Sequence, residues 1–463
     1  MAITARPQQR YDHRLRHLVQ RTGDVTRRSM TLCFPLTAIA LEPVTMTNRL
    51  HSVLLVALAI TTLGLHSAPP SQSATSRSDS RWIGTWATAP AGVADPPRQF
   101  DNQTLRLIVR ISAGGDEVRV RIANTFGTVP LAIGAAHIAR RAAGASIQPH
   151  TDRSLTFGGR SSFAVPAEAV VLSDPVRLSV PAGSDLAVSI YLPARTVERT
   201  THVTALQTSY VSSAGDFTAS ERFETSSTIT SWPFLTGIDV AAGPQGAAIV
   251  ALGDSITDGA SSTRDANQRW PNLLAARLRE RPELNHLGVL NQGIIGNRIL
   301  HPTETQFANL FGPAGLARFD RDVLAQAGVQ YLIVLLGIND IGHPGANAPA
   351  SDEVSAADLI AGYRQIVERA HEQDIAVFGA TLLPFENTTI PGFYSVDKEA
   401  KRQAVNLWIR GSGAFDAVID FDRATRDPAH PARLLPQYDS GDHLHPNDAG
   451  MAALANAIPL DLF

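Results

Sequence analysis

The chain has 463 residues, of which 44% are hydrophobic and 18% are charged, and its formal net charge is −3 at pH 7. These values are ordinary for a globular protein and exclude a fibrous or wholly disordered chain. The length exceeds that of a usual single hydrophobic core, so we expect two domains.

An apolar run near the N-terminus predicts export. Val53–Leu65 is 13 residues long, which is short for a membrane span but fits the core of a signal peptide. We expect residues 46–74 to be that signal peptide, starting at Met46 and cleaved near Ala68 or a few residues later, and residues 1–45 to be an upstream extension. The mature protein would then be secreted without stable membrane insertion, and an uncleaved anchor is the alternative.

Loss of this N-terminal part would change the charge and remove the only cysteine. The first 74 residues hold eight arginines and three acidic residues, so the remaining chain has a net charge of −8. An acidic chain without a basic run argues against a nucleic-acid partner. Cys33 is lost with this segment, so we expect neither a disulfide nor thiol chemistry in the mature protein.

Residues 81–236 alternate between apolar and polar side chains with a period of two, which is typical of β-strands. The segments 105–111 and 118–122 flank a Gly-rich turn and predict a β-hairpin with one buried and one solvated face. The segments 176–180 and 186–190 repeat this pattern. Many short strands without helices between them predict an all-β sandwich or jelly-roll domain.

Two sets of large side chains in this part are expected to be structural. We expect the arginines of the alternating segments on a solvated strand face rather than in an anion site. We expect the tryptophans to pack in the core or between domains rather than to form a platform for sugars. These residues are Arg106, Arg110, Arg119 and Arg121, and Trp82, Trp86 and Trp232.

After a predicted linker at residues 237–246, strands that are apolar on both faces alternate with helical segments. This pattern is typical of a parallel sheet covered by helices on both sides. We therefore expect a three-layer α/β domain over residues 246–463. The predicted strands are Ala247–Leu252, Val289–Asn291, Tyr331–Leu336, Ile375–Leu382 and Ala417–Asp420, and the predicted helices are Trp270–Glu280, Phe319–Ala327, Val354–His371, Lys398–Arg410 and Asn447–Ala457.

Polar residues follow these strands, at the edge where a parallel sheet binds its ligands. Ser255 follows the first strand, Asn339 follows the third, and Asp442 and His445 lie in the loop before the last helix. A serine hydroxyl becomes a nucleophile when a histidine removes its proton and a carboxylate orients that histidine. Ser255, His445 and Asp442 therefore predict a triad for ester hydrolysis. Taken singly, Ser255 would be typical of a helix N-cap and Asn339 of a turn.

Four blocks in this part together resemble the GDSL/SGNH hydrolase family, over about Ala247 to Phe463. Any single block is a weak signal, but all four occur in the order of the family. The first block has Ile256 where the family name has leucine, which is a conservative change. The blocks are Gly253-Asp254-Ser255-Ile256, Asn291 with Gly296, Gly337-Ile338-Asn339-Asp340, and Asp442 with His445 and Pro446.

The resemblance implies a role for each matching residue. Ser255 would be the nucleophile and would also give its backbone N–H to the oxyanion, Gly296 would give a second N–H, and the Asn339 side chain would complete the oxyanion hole. Gly293 is a competing candidate for the second donor. The order Ser, Asp, His also fits an α/β-hydrolase, but Thr257 stands where the G-x-S-x-G elbow of that fold needs a glycine.

We expect no metal and no cofactor. Asp442, His443 and His445 could form part of a metal site, but no further ligands stand at metal spacing. His301 and His343 are expected at the rim of the cleft.

The sequence therefore predicts a secreted carboxylic ester hydrolase, with an SGNH-type α/β domain preceded by an all-β domain. Its substrate would be a small-molecule or polysaccharide ester, and acylated carbohydrates, short-chain esters and lipids are the candidates. The alternative is a non-catalytic carbohydrate- or surface-binding protein on a hydrolase scaffold. No particular oligomeric state is indicated.

Overall fold

The structure is a computed structural model that describes residues 81–92, 96–303 and 307–463. These residues belong to one compact unit, Ala74–Phe463. The predicted upstream extension and signal peptide lie outside the described residues and stay predictions. In the described part of the chain, no helix has both the length and the apolar character needed to cross a membrane.

Between residues 81 and 242 the described chain forms strands joined by turns and short loops. The strands are β1 (Arg81–Ala87), β2 (Gln99–Phe100), β3 (Gln103–Arg110), β4 (Gly115–Ala123), β5 (Leu131–Ile133), β6 (Ala135–Arg140), β7 (Arg153–Ser154), β8 (Phe163–Val165), β9 (Val170–Leu172), β10 (Val176–Val180), β11 (Asp185–Leu192), β12 (Thr196–Val197), β13 (Thr201–His202), β14 (Ser209–Ala214), β15 (Thr225–Ile229), β16 (Trp232–Pro233) and β17 (Leu235–Ala242).

Most of these strands form two antiparallel sheets. One has the order β1-β17-β4-β10, with β9 also paired to β4, and the other has the order β15-β14-β3-β11-β6-β7. Apolar side chains of both sheets share one core, for example Leu105 and Leu107 on β3 with Val118 and Val120 on β4. Two sheets around a common core form a β-sandwich, as predicted.

The predicted hairpins are wrong, although their strands are present. β3 pairs with β11 and β14, whereas β4 pairs with β17, β10 and β9. β3 and β4 therefore lie in opposite sheets, and so do β10 and β11. An alternating pattern shows which side chains face the core, but it does not identify the hydrogen-bonded neighbour, because a hairpin and two facing sheets bury residues with the same period.

The prediction of a solvated arginine face is wrong for Arg106, whereas the side chain of Arg110 is 37% exposed. Arg106 is fully buried and donates to Ser189 Oγ at 2.9 Å, and burial lowers the pKa of its guanidinium to about 10. Arg119 and Arg121 lie 2.8 and 3.7 Å from the buried Asp239 carboxylate. A charged side chain can be buried when polar partners surround it, and those partners come from distant parts of the chain.

The predicted linker is a strand for most of its length. β17 pairs with β1 on one side and with β4 on the other, and only residues 243–246 form a turn before the next strand. The backbone hydrogen bonds on both sides hold β17 in place, so its small side chains do not indicate a flexible segment. The division into domains at this point stays a prediction.

The rest of the described chain alternates strands and helices, as predicted. The strands are β18 (Ala247–Gly253), β19 (Leu287–Gly293), β20 (Val329–Leu335), β21 (Ala376–Ala380) and β22 (Ala417–Ile419), and the helices are α1 (Ser255–Asp258), α2 (Trp270–Arg279), α3 (Ala308–Phe311), α4 (Gly315–Phe319), α5 (Ile338–Gly342), α6 (Ala356–His371), α7 (Val396–Gly411), α8 (Phe421–Thr425) and α9 (Asp448–Asn456).

The five strands form a parallel sheet in the order β19-β18-β20-β21-β22. Ala248 and Val250 of the central strand β18 pack in the core that α6 and α7 cover. Ile249 and Ala251 pack on the other face, in the core that α2 and α9 cover. The result is the predicted three-layer α/β architecture, with the carboxyl ends of the strands at one edge.

The sandwich packs directly against the first edge of this sheet. β1 contacts β19 so closely that a Cβ at position 288 would lie 2.0 Å from Gly84 O. The Ser112 hydroxyl accepts a hydrogen bond from the Val289 N–H at 2.8 Å. Trp86 and Trp232 are buried near this contact and pack edge to face, with ring centroids 5.0 Å apart. The tryptophans therefore have the packing role that the sequence predicts.

Candidate active site

Three polar side chains lie in a line at the carboxyl end of the parallel sheet. His445 Nε2 is 2.8 Å from Ser255 Oγ, and His445 Nδ1 is 2.6 Å from Asp442 Oδ2. Ser255 begins α1, directly after β18, and the other two residues lie in the loop that precedes α9. The structure thus brings together the three residues that the sequence predicts as a triad.

The turn that carries Ser255 depends on the two residues before it. A Cβ at position 253 would lie 2.1 Å from Thr257 Oγ1, so glycine fits best at the end of β18. Asp254 is the N-cap of α1, because its Oδ1 accepts from the Ile256 N–H at 3.0 Å. Ser255 is therefore not the cap, and its hydroxyl is available to a histidine.

Asp442 is held so that it faces His445. Its Oδ1 accepts from the N–H groups of Leu444 at 2.9 Å and His445 at 2.8 Å, and Ser440 Oγ donates to it at 3.0 Å. Burial opposes ionisation, but the bonds and charge of His445 hold the pKa of the Asp442 carboxyl well below its usual range. The carboxylate is charged at neutral pH and orients Nδ1 as a donor, which leaves Nε2 to accept the serine proton.

Gly296 lies in the turn after β19. Its φ is +70°, and a Cβ there would lie 2.3 Å from the Phe311 ring, so the turn requires glycine. Its N–H has no acceptor among the described residues. The N–H of Gly293, the competing candidate, already donates to Asn291 Oδ1 at 2.9 Å. Of these two glycines, Gly296 is the one that keeps a backbone donor for a ligand.

Helix α5 brings the third predicted donor next to this turn. Asn339 Nδ2 donates to Asn297 O at 3.0 Å, which leaves the second hydrogen of the amide available. Asp340 accepts from the N–H groups of Ile299 at 2.8 Å and Leu300 at 3.0 Å. These contacts attach α5 to the loop after β19, so Asp340 orients the site rather than reacting in it.

His343 is buried and does not lie at the rim, where the sequence analysis expected it. Its Nε2 lies 3.1 Å from Gly296 O, and its ring stacks on Phe311 with centroids 5.1 Å apart. Burial and the charge of Arg298 lower the pKa of His343 to about 4, so the ring is neutral at neutral pH. Because a carbonyl only accepts, Nε2 carries the hydrogen and supports the turn. His301, by contrast, is exposed.

The histidine pair of the last loop is divided between two carboxylates. His443 Nδ1 contacts Asp439 Oδ2, while His445 contacts Asp442 and Ser255. Among residues 81–92, 96–303 and 307–463, no group of three or more His, Cys, Asp or Glu side chains could hold a metal ion.

Two residues next to the Ser255 turn were not predicted from the sequence. They are Asp258 at the end of α1 and His202 of the sandwich. They contact each other at 2.9 Å and are buried. A single histidine on a short strand gives no local signal of such a contact, because the contact is made only when the two parts of the chain pack together.

The arrangement can activate a hydroxyl and stabilise negative charge beside it. An imidazole acceptor lies within hydrogen-bond distance of Ser255 Oγ. The strand-end loops carry the Ser255 N–H, the Gly296 N–H and the Asn339 amide. A hydroxyl with a base, next to several fixed donors, suits acyl transfer from an ester.

Residues 251–453 match the model of the GDSL-like lipase/acylhydrolase family. No curated protein matches the chain.

Solved structures resemble a little under half of the chain. A lipolytic protein of the G-D-S-L family from Desulfitobacterium hafniense is 20% identical, with 46% of this chain and 97% of that chain covered and a TM-score of 0.33. A GDSL-like lipase from Bacteroides thetaiotaomicron is 19% identical, with 45% and 84% covered and a TM-score of 0.32. An acetylxylan esterase from Geobacillus stearothermophilus is 21% identical, with 46% and 93% covered and a TM-score of 0.34.

Proposed function

We propose, in line with the match of residues 251–453 to the GDSL-like lipase/acylhydrolase family, that the chain hydrolyses carboxylic esters with Ser255 as its nucleophile. The observation that carries the proposal is the line of hydrogen bonds from Asp442 through His445 to Ser255, at 2.6 and 2.8 Å. Such a line allows the hydroxyl to lose its proton as it attacks.

In the first half-reaction, Ser255 Oγ bonds to the ester carbonyl carbon while His445 Nε2 takes the hydroxyl proton. The carbonyl oxygen becomes an oxyanion. When it collapses, the bond to the alcohol oxygen breaks, and His445 returns the proton to the departing alcohol. The product of this step is an acyl-enzyme at Ser255.

In the second half-reaction, a water molecule attacks the acyl-enzyme and gives its proton to His445. The second oxyanion collapses, the carboxylic acid leaves, and the proton returns to Ser255 Oγ. Asp442 remains a carboxylate throughout, in keeping with its lowered pKa, and stabilises the imidazolium that forms in each half-reaction.

The oxyanion would accept hydrogen bonds from the Ser255 N–H, the Gly296 N–H and the Asn339 amide. Fixed donors of this kind each lower the barrier by about 3 kcal/mol. The Gly296 N–H and the second Asn339 hydrogen are suited to this role because they have no acceptor among the described residues.

We propose an exported enzyme that acts on acylated carbohydrates or other short-chain esters. The attached β-sandwich favours carbohydrate esters, by analogy of architecture. A panel of acetylated glycans and fatty-acyl esters tests this substrate class: faster turnover of the fatty-acyl esters would contradict it.

The hydrolysis of p-nitrophenyl acetate tests the nucleophile. We expect Ser255→Ala to lower kcat by on the order of 10³-fold or more, because the hydroxyl that forms the acyl-enzyme is gone. Ser262→Ala is the matched control, since Ser262 is also buried in the segment after β18 but does not belong to the triad, and it should retain turnover. Equal activity of Ser255→Ala and the wild type would remove Ser255 from the mechanism.

A further inference from the structure

A buried polar contact joins the β-sandwich to the turn that carries Ser255. His202 lies on β13, opposite Trp232 of β16, and its ring stacks on that indole with centroids 5.6 Å apart. Its Nε2 is 2.9 Å from Asp258 Oδ1, and each of the two side chains is 4% exposed. Asp258 is the last residue of α1, which begins at Ser255. The His202 imidazole thus joins the sandwich to the nucleophile turn.

The two ring nitrogens of His202 both face acceptors. Nδ1 lies 3.0 Å from Ala89 O, and Nε2 faces the Asp258 carboxylate. Thr204 Oγ1 lies 3.4 Å from Nε2, but its hydrogen goes to Asp258 Oδ2 in a shorter contact. Because a carbonyl and a carboxylate oxygen only accept, each contact forms when the ring nitrogen that faces it carries a hydrogen.

The other charged group at this contact is Arg269. Its guanidinium donates to the backbone oxygen of Asp258 and to those of Thr204 and Ala205, and it lies over the Trp232 ring. The carboxylate of Asp258 therefore receives its side-chain hydrogen bonds from two residues of the sandwich, His202 and Thr204.

The Asp258 carboxylate also reaches the loop of the oxyanion donors. Its Oδ2 accepts from the Ile295 N–H at 3.2 Å, and Ile295 directly precedes Gly296. One carboxylate thus connects the end of the Ser255 turn with the residue before the glycine donor. A shift of Asp258 would move both groups relative to each other.

We infer that His202, a residue of the β-sandwich, is a positioning residue for ester hydrolysis. It holds Asp258 in place, and Asp258 fixes the position of the Ser255 turn relative to the Gly296 donor. The inference rests on the proposed function. It gives the sandwich a part in the reaction through a residue that does not touch the substrate. Transition-state stabilisation depends on donor positions to within fractions of an ångström. The position of the Ser255 turn relative to the Gly296 donor therefore affects kcat more than KM.

Two substitutions at His202 separate the two ring contacts. A glutamine amide can reach the position of Nε2 and donate to Asp258, whereas an asparagine amide reaches only the position of Nδ1, near Ala89 O. We expect His202→Asn to lower kcat for p-nitrophenyl acetate on the order of 10- to 100-fold with little change in KM. His202→Gln should restore most of that kcat.

Rates are expressed per active site titrated with a fluorophosphonate. A purely structural role would lower the fraction of titratable enzyme and leave kcat per titrated site unchanged. Unchanged kcat per site in His202→Asn, or equal losses in the asparagine and glutamine variants, would overturn the inference.

Thr204 provides a second test that preserves side-chain shape. Thr204→Val removes the hydroxyl that donates to Asp258 Oδ2, and we expect it to lower kcat per site, with rescue by Thr204→Ser. Thr208→Val is the matched control, because Thr208 Oγ1 also joins the two parts of the chain, at 2.7 Å from Asp265 Oδ2, but does not contact Asp258. Equal kcat in both valine variants would contradict the inference.

The proposed function can fail independently of this inference. If Ser255→Ala hydrolyses the ester at the wild-type rate, the nucleophile assignment is wrong and the inference falls with it. If Ser255→Ala is inactive and His202→Asn has full kcat per site, only the inference is overturned.

Discussion

Two Asp–His pairs lie in the loop before α9, and they differ in what the second ring nitrogen can reach. His445 connects Asp442 to Ser255. His443 bonds to Asp439 through Nδ1, and its side chain is 43% exposed. Of the two histidines, His445 is the one in hydrogen-bond contact with Ser255, so we assign the base to His445.

Alanine substitution at each histidine tests this assignment. His445→Ala should lower kcat by on the order of 10³-fold or more, because Ser255 loses the acceptor for its proton. His443→Ala keeps the Asp442–His445–Ser255 line and should retain kcat within about threefold, since surface changes away from the chemistry cost little. Steady-state turnover of p-nitrophenyl acetate measures both, and a larger loss in His443→Ala would contradict the assignment.

Asp254 combines burial with an unpaired oxygen. Its Oδ2 has no hydrogen-bond partner among the described residues, although Oδ1 caps α1. Burial raises the pKa of this carboxyl to about 7. In the folded chain it therefore retains a proton at pH values where an exposed aspartate is ionised.

This shift makes folding stability depend on pH in a defined direction. Between about pH 4 and pH 7 the folded state binds a proton at Asp254 that the unfolded state has lost, so stability falls as the pH rises. Asp254→Asn removes the titration, and the fall in unfolding free energy between pH 4.5 and 7.5 should be smaller by up to about 3 kcal/mol. Urea unfolding at the two pH values measures it. Identical pH slopes in the two proteins would contradict a raised pKa.

Among the elements, α5 and the turn after β19 act as one unit. Asn339 donates to Asn297 O, Asp340 accepts from Ile299 and Leu300, and His343 contacts Gly296 O. These bonds run between the segments that follow β19 and β20, the two strands on either side of β18. They fix the glycine and asparagine donors relative to each other before a substrate binds, which is the condition for low-cost charge stabilisation.

Removal of one donor from this unit should affect the transition state more than the substrate complex. We expect Asn339→Ala to lower kcat by about 10²–10³-fold, with a smaller change in KM, because the oxyanion exists only after attack. Asn406→Ala is a control for loss of a buried asparagine, because Asn406 bonds to the backbone of Leu382 on the α7 side of the sheet. It should lower stability rather than kcat per folded enzyme. A loss confined to KM in Asn339→Ala would contradict the oxyanion role.

The strands and helices show how much of the fold the sequence pattern could predict. The strands and longer helices of the α/β part were predicted with small errors at their ends, because buried parallel strands and amphipathic helices have different hydrophobic periods. The short helices α1, α3, α5 and α8 were not predicted, because one turn of helix is too short to show a period. In the sandwich the strands were predicted but their partners were not, since β3 and β4 bury alternate residues in the same core from opposite sheets. Periodicity describes a strand's faces, whereas pairing depends on the path of the whole chain.

In the candidate site, too, the sequence could predict some residues and not others. Ser255, Gly296, Asn339, Asp442 and His445 could be found because strand-end loops of a parallel sheet converge and their motifs are local. His202 and His343 could not, because their side chains contact distant parts of the chain and neither has a local pattern. With His202 as a positioning residue, the site extends into the sandwich, where the sequence predicted no site residue.

The close contact between the sandwich and the parallel sheet predicts that the α/β part depends on it. Residues 246–463 alone would expose the face of β19 that β1 covers and would leave Asp258 without His202 and Thr204. Exposure of apolar surface and an unpaired carboxylate both destabilise the folded state.

We therefore expect residues 246–463 to unfold at a lower temperature than residues 81–463 and to show lower kcat per titrated site. Thermal unfolding by circular dichroism and active-site titration measure the two effects. Matching melting temperature and kcat in the two chains would show that the α/β part is independent of the sandwich.

The most direct test of the central claim is covalent labelling of Ser255. We predict that a fluorophosphonate adds one phosphonyl group to the wild-type chain, that peptide mapping by mass spectrometry places it on Ser255, and that His445→Ala slows the labelling strongly. Labelling of a different residue, or no labelling of an enzyme that turns over p-nitrophenyl acetate, would contradict the assignment of Ser255 as the nucleophile.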